Sequence, residues 1–209
     1  ENLRLRLVGD LHYSHTMRTI YATDASSYRM LPSAVALPKT HDDIRQLVKF
    51  AIEYDIPLIP RAAGTSLSGQ PIGNGIVVDV GRHMNQVLEV NKEESWARIQ
   101  PGIIRNELNE YLESYDLFFG PETSTQNRAM IGGMMGNNSC GANSVVYRDS
   151  RKHLLEVKGV LADGSEVTFG ELTKEEFEAK CSGDESLLET KVYRQIRDIL
   201  NDKGNIDEI

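Results

Sequence analysis

The segment Pro60-Arg61-Ala62-Ala63-Gly64-Thr65-Ser66-Leu67-Ser68-Gly69-Gln70 combines small residues, hydroxyls and a single arginine directly after a strand-like run. Small side chains let a ligand approach the backbone N–H groups, which can cradle an anion, and the hydroxyls add donors. The chemistry on offer is phosphate binding, and the competing reading is a tight turn between two strands. A second cluster of the same character runs through Pro121-Glu122-Thr123-Ser124-Thr125 and Ile131-Gly132-Gly133-Met134-Met135-Gly136-Asn137-Asn138-Ser139-Cys140-Gly141. Two such loops beside strands can line one elongated cleft suited to an extended ligand with phosphates, such as a dinucleotide. For that, the two glycine-bearing turns must meet in space.

Known phosphate loops fit poorly. Gly64 to Gly69 matches G-x-x-x-x-G, but Gln70-Pro71 stands where a P-loop needs Lys and then Ser or Thr. Gly73-Asn74-Gly75 begins a G-x-G, yet Val78 occupies the place of the third glycine in a strand-like run, so the Rossmann fingerprint fails. The two cysteines, Cys140 and Cys181, have no C-x-x-C spacing, which excludes a zinc site, iron–sulfur cluster or disulfide framework built from this chain's thiols alone. His12, His15, His41, His83 and His153 show no metal spacing and no paired nucleophile. Cys140 reads as a small hydrophobe and Met134 and Met135 as loop packing.

The chain has 209 residues, 40% hydrophobic and 26% charged, the proportions of a soluble globular protein. Its formal charge of −8, from 31 acidic and 23 basic side chains, argues against a nucleic-acid or anionic-membrane partner. It has no apolar stretch of membrane-spanning length, and its N-terminus lacks the apolar core of a signal peptide, so the expectation is a cytoplasmic protein or a piece of one.

The elements that must position the loops follow from periodicity. Residues 1–30 read as a mixed, weakly periodic lead-in, with Tyr21 to Tyr28 a polar, irregular approach to the body. Val35-Ala36-Leu37 predicts a strand ended by Pro38, and Thr40 with Asp43 predicts a helix start. Ile44, Leu47, Val48, Ala51 and Ile52 form one apolar helix face ahead of Pro57. Ile56 to Ile59 and Ile76 to Val80 predict strands, giving a βαβ unit. Val87 to Val90 and Trp96 to Ile99 predict a hairpin. Ile104, Leu108, Tyr111, Leu112 and Tyr115 mark a second helix, and Leu117-Phe118-Phe119 reads as a returning strand. Gly120 to Gly141 is too long for an idle loop. Leu154 to Leu161 and Val167 to Phe169 predict another hairpin; Thr173 with Glu176 and Ser186 with Glu189 read as capping boxes of two further helices.

Pro60 to Gln70, Pro101-Gly102, Gly120 to Gly141 and Val160-Leu161-Ala162-Asp163-Gly164 occur in the order seen in the vanillyl-alcohol-oxidase-type, or PCMH-type, FAD-binding domain. The chain most resembles the D-lactate dehydrogenase and glycolate oxidase branch, FAD-linked 2-hydroxy-acid oxidoreductases, particularly the large members that add an iron–sulfur domain. The resemblance covers roughly Tyr21 to Phe169 and is more specific for fold than for substrate. It implies an α+β, two-sub-domain FAD-binding fold over 31–209, with sub-domain one at about 31–92 and sub-domain two at about 93–209. The substrate domain would lie outside this chain.

By the same resemblance, Arg61, Ala62, Ala63, Gly64, Thr65, Ser66 and Gly69 form the loop whose amides hold the FAD pyrophosphate. Pro121, Thr123 and Ser124 contact flavin or pyrophosphate, and Gly132, Gly133, Asn137, Asn138 and Gly141 complete the cleft. Thr65 stands where covalent members carry a histidine, so the FAD would be non-covalent. The α-hydrogen of a small 2-hydroxy acid would pass to the flavin as hydride, with an iron–sulfur domain of the parent chain as a further partner. The implied catalytic side chains lie outside this chain, and peripheral membrane association belongs to the parent enzyme if to any part. Two departures from the family pattern stand out: Ala62-Ala63 replaces common glycines, and Arg148 stands where relatives often have Gly. The alternative is a non-catalytic nucleotide or nucleotide-sugar binding module on the same fold; a third reading is a reductase for a cell-wall nucleotide sugar.

Overall fold

The computed structural model describes residues 2–208 and divides the chain into two compact units, one up to Leu154 and one from Leu155 onward. The first unit is built on a four-stranded sheet of β1 (Asp10–His12), β2 (Ala34–Leu37), β3 (Leu58–Arg61) and β4 (Ile76–Asp79), in the order β1-β2-β4-β3. Strands β2 and β3 both run parallel to β4, which lies between them, so the predicted βαβ crossover spans one intervening strand. Every residue of β2 is buried, as expected of a central strand covered on both faces.

Helix α3 (His41–Tyr54) starts where the sequence predicts, because Thr40 and Asp43 cap it reciprocally: the Asp43 N–H donates to Thr40 Oγ1 at 3.1 Å and the Thr40 N–H to Asp43 Oδ2 at 3.1 Å. Its buried face is rotated from the predicted one. Leu47 is fully buried with Ile44 and Phe50 against the core, whereas Ile52 is 55% exposed. The i, i+3, i+6 row meets the sheet, and Phe50 stacks on Tyr54 at 4.4 Å.

Residues 2–20 are more regular than the sequence suggests, whereas Tyr21 to Tyr28 is irregular as expected. Residues 2–20 form α1 (Asn2–Arg6), β1 and α2 (His15–Ile20), and β1 pairs antiparallel with β2. A three-residue strand is too short to display alternation. Asp43 holds this segment: its carboxylate accepts the N–H groups of Val8 at 2.7 Å and Gly9 at 3.1 Å. Leu3, Leu11, Ala34, Ala36, Leu47, Ile76 and Val78 share the first core cluster.

A hairpin of β5 (Val87–Asn91) and β6 (Trp96–Ile99) follows, with a bulge between Val87 and Glu89, and then α4 (Arg105–Glu113). Ile103, Leu108, Leu112, Ala129, Ile131 and Met134 make a second cluster, on which Val87 and Val90 also pack. The predicted strand at Leu117 to Phe119 does not form. Asn109 of α4 takes the place of a strand partner, donating to the Phe119 carbonyl at 3.2 Å and accepting its N–H at 2.7 Å.

After α5 (Ile131–Gly136), α6 (Ser144–Tyr147) and a 3-10 turn (Ser150–His153), the second unit opens with the hairpin β7 (Glu156–Val160) and β8 (Glu166–Gly170). Thr173 and Glu176 form the predicted capping box of α7 (Lys174–Cys181). The box expected from Ser186 and Glu189 is absent: α8 (Leu188–Asn201) begins two residues past Ser186, Asp184 binds the Ser186 N–H, and Glu189 pairs with Lys180 at 2.7 Å. The chain continues into α9 (Lys203–Glu208). No helix among the described residues is long and apolar enough to cross a membrane.

Candidate functional site

The first loop leaves the end of edge strand β3. Hydrogen-bond pairing on β4 stops at Val80, whose N–H donates to the Arg61 carbonyl at 3.1 Å. The N–H groups of Ala62, Ala63, Gly64, Thr65, Ser66 and Leu67 donate to no acceptor among the described residues. Residues 62–66 are half-buried, and Leu67, Ser68 and Gln70 are exposed. A consecutive run of donors that no protein group satisfies, in partly exposed residues, leaves room for an acceptor from outside the chain.

Gly64 and Gly69 carry the turn at φ +68° and +71°, a region costly for residues with a β-carbon. Ala62 and Ala63 sit where φ is negative, so their β-carbons impose no backbone strain. The Ser66 hydroxyl is turned inward, donating to Gln70 Oε1 at 2.7 Å and accepting the Ser68 N–H.

The second cluster meets this loop through Gly133. In the first turn of α5, the Ile131 and Gly132 N–H groups are taken by the carbonyls of Ile103 and Pro101, while the Gly133 N–H has no acceptor among the described residues. A β-carbon on Gly133 would lie 3.1 Å from that of Ala62, so the two turns are in van der Waals contact across a glycine. One residue before α5, the Met130 thioether lies against Gly81 just past β4. Strands β3 and β4 thus present both their ends to the start of α5.

The rest of the cluster is held from within. Pro121 is fully buried and its carbonyl accepts Arg105 Nε at 3.1 Å. Thr123 Oγ1 lies 3.2 Å from Thr125 Oγ1 and accepts the Thr125 N–H, whereas Ser124 is exposed. Asn137 closes α5, and the Asn138 carboxamide accepts the Arg151 N–H at 2.9 Å, which ties it to the 3-10 turn. Gly141 abuts the Glu122 backbone, and Glu122 Oε1 accepts the Asn143 N–H at 3.0 Å. The structure therefore joins Ala62 directly to Gly133, while the contacts of Pro121, Thr123, Asn137, Asn138 and Gly141 run within the second cluster and to its neighbours.

Several residues of this neighbourhood carried no signal in the sequence. The Ala25 N–H donates to the Gly64 carbonyl at 3.1 Å and Tyr28 packs on Gly69, so the segment before β2 clasps the first loop. Tyr21 donates to Asp79 Oδ2 at 2.7 Å; burial first, and then this bond, push its hydroxyl far above the ordinary phenol range, so it stays a donor. Arg105 donates to the carbonyls of Phe119 and Pro121 and fixes the entry to the second cluster. Isolated polar residues without periodicity or motif spacing leave no trace of such contacts.

A groove of about 500 Å³ elsewhere in the unit is lined by Glu110, Glu113, Asp116 and neighbouring residues. Its carboxylates repel phosphate, and it borders none of the unpaired amides. No group of three metal-ligating side chains occurs among the described residues.

The model of the FAD binding domain family matches residues 32–170. The chain is 37% identical over 203 residues to D-2-hydroxyglutarate dehydrogenase of Pseudomonas putida, a match covering 96% of this chain and 20% of that protein. It is 34% identical over 166 residues to glycolate oxidase subunit GlcD of Bacillus subtilis, covering 78% of this chain and 35% of that one. The chain thus spans about a fifth to a third of the length of these relatives. The solved structure of p-cresol methylhydroxylase with substrate bound superposes with a TM-score of 0.69 at 18% identity, over 80% of this chain and 34% of that one. The α+β architecture is that of the vanillyl-alcohol-oxidase or PCMH type. On these matches, over the sheet, the two glycine loops and the β7–β8 hairpin, the chain belongs to the FAD-binding domain family.

Proposed function

We propose that this chain is the FAD-binding domain of a flavin-dependent oxidoreductase that oxidises a small 2-hydroxy acid, and that it holds FAD non-covalently. The run of unpaired amides from Ala62 to Leu67, abutting Gly133, carries the proposal. A diphosphate brings only acceptor oxygens, and these amides bring only donors, so the two sets complement each other without a bound cation. Gly64 turns the chain at a positive φ, and the missing side chain at Gly133 leaves space beside Ala62 for a ligand to approach both backbones. Arg61, Ala62, Ala63, Gly64, Thr65, Ser66 and Gly69 would form one wall of the cofactor site. Pro121, Thr123, Ser124, Gly132, Gly133, Asn137, Asn138 and Gly141 would form the other. FAD, when bound, supplies the two-electron redox chemistry, and the protein's part is to bind and orient it.

The relatives named as dehydrogenase and oxidase subunit favour this reading over a non-catalytic binding module. We place the substrate-binding and catalytic side chains, and an iron–sulfur domain, in the remainder of the parent protein, supported by the small share of the first relative that this chain spans. The division into sub-domains at about residue 92 is part of the same proposal. Its support is a change of core along the chain, from the cluster of Leu3 and Val78 to that of Ile103 and Met134, although Val87 and Val90 already pack on the second.

The test uses the full-length parent protein. It should purify with about one flavin per chain, release that flavin on denaturation, and bleach the bound flavin when given one of D-2-hydroxyglutarate, D-lactate or glycolate. Absence of retained flavin refutes the cofactor assignment, and retention without bleaching by any 2-hydroxy acid refutes the substrate class. Gly64→Val should abolish flavin retention with an unchanged circular-dichroism spectrum, because a β-branched residue strains the positive φ and collides with the Arg61 guanidinium inside the turn, distorting the loop.

A further inference from the structure

Among the residues of the first loop only Arg61 has a charged side chain, the obvious partner for a phosphate, yet its guanidinium faces the protein. Nη1 donates to the Thr23 carbonyl at 2.9 Å, ahead of β2, and to the Pro71 carbonyl at 3.5 Å, just beyond the loop. The guanidinium carbon sits 5.2 Å from the centre of the Tyr21 ring, and that ring is oriented by the Tyr21 hydroxyl bond to Asp79. Asp79 in turn accepts the Gly81 N–H at 2.7 Å. A β-carbon on Gly64 would lie 2.5 Å from Nη2, so the guanidinium occupies the inside of the turn that Gly64 makes.

We infer that Arg61 is a positioning residue of the flavin site: its guanidinium ties Thr23 and Pro71 together beneath Gly64, and the loop amides alone bind the diphosphate. The inference rests on the FAD reading above and deepens it. A planar fork of five donors, stacked on an aromatic face, can serve carbonyls on two separate segments. An ammonium group is a compact point charge and cannot reproduce that geometry. The unpaired amides can share one diphosphate only if both ends of the loop are held in place. Without the guanidinium, Thr23, Pro71 and the inside of the Gly64 turn lose their common partner, and the amides diverge.

The experiment compares the full-length protein with Arg61→Lys and Arg61→Met. FAD affinity is measured by flavin fluorescence at low and high ionic strength, with riboflavin as the ligand that lacks a diphosphate. Both variants are expected to weaken FAD binding at least about tenfold while riboflavin affinity stays unchanged. The ionic-strength dependence of FAD affinity should match wild type in both, since no charge in contact with phosphate has been removed. A phosphate-binding Arg61 gives the opposite pattern: Arg61→Lys retains affinity, and Arg61→Met loses both affinity and ionic-strength dependence. That result, or unchanged FAD affinity in both variants, overturns the inference while leaving the flavin reading standing. A wild-type protein that binds no FAD overturns both. Should Arg61→Met fail to fold, Arg61→Lys, which keeps the aliphatic stem against Tyr21, carries the measurement.

Discussion

Gly133 and Ala62 lie so close that a β-carbon added to the former would come within 3.1 Å of the β-carbon of the latter. Their neighbours must give by a few tenths of an ångström to admit one methyl group, and by more to admit a branched side chain. Gly133→Val is expected to weaken FAD binding at least tenfold, about 1.4 kcal/mol, with secondary structure unchanged. Gly133→Ala separates ligand from fold: alanine is about 1 kcal/mol better than glycine inside a helix, so its thermal midpoint should hold or rise while flavin affinity falls. Flavin titration beside a thermal melt reads both effects, and full affinity in Gly133→Val would remove Gly133 from the site.

Asn109 offers a second check, on the frame rather than the ligand. Its carboxamide satisfies both backbone groups of Phe119, where the sequence suggests a strand. Asn109→Ala should destabilise the protein by about 2 kcal/mol, because two partly buried backbone groups lose their partner. A urea unfolding curve indistinguishable from wild type would show that water replaces the carboxamide without cost.

Arg148 adopts φ +61° and ψ −156°, a conformation that suits glycine. Such backbone strain costs about 1–3 kcal/mol in a residue with a β-carbon. The departure from glycine noted in the sequence therefore falls on a position where glycine is the relaxed choice. Arg148→Gly is expected to raise stability by about 1 kcal/mol once the added freedom of the unfolded chain is counted. A lower denaturation midpoint in this variant would contradict the strain.

Asp43 gives a dependence on pH. It is 1% exposed and accepts the N–H groups of Lys39, Val8, Thr40 and Gly9. Burial alone would raise its carboxyl, but these four amides outweigh burial and hold it below the ordinary 3.8. With the folded value depressed, the stabilisation is present above 3.8 and is lost as pH falls through the lower folded value. Asp43→Asn should therefore cost about 3 kcal/mol at neutral pH, and the gap to wild type should narrow in acid. A gap that does not change between pH 7 and pH 2 would mean the carboxylate charge is not what holds α1 and β1 to the start of α3.

Local chemistry makes much of this molecule legible in its sequence. The Thr40–Asp43 and Thr173–Glu176 caps, the βαβ unit and the two hairpins follow from hydrogen bonds and periodicities that act within a few residues. The Ser186–Glu189 pattern shows the limit of that reasoning. The same residue spacing formed no cap, because Asp184 and Lys180 offered those groups other partners.

Composition and spacing marked both glycine loops as candidates for ligand binding, beside the reading of a tight turn, since small residues expose backbone donors wherever they stand; the family resemblance, not spacing, pointed to FAD. That these loops touch, that Asp43 carries the N-terminal strand, and that Arg61 faces inward came only from the tertiary structure. Each depends on groups distant in sequence brought together by the packing of β3, β4 and α5, and a contact between distant segments leaves no periodicity in either one.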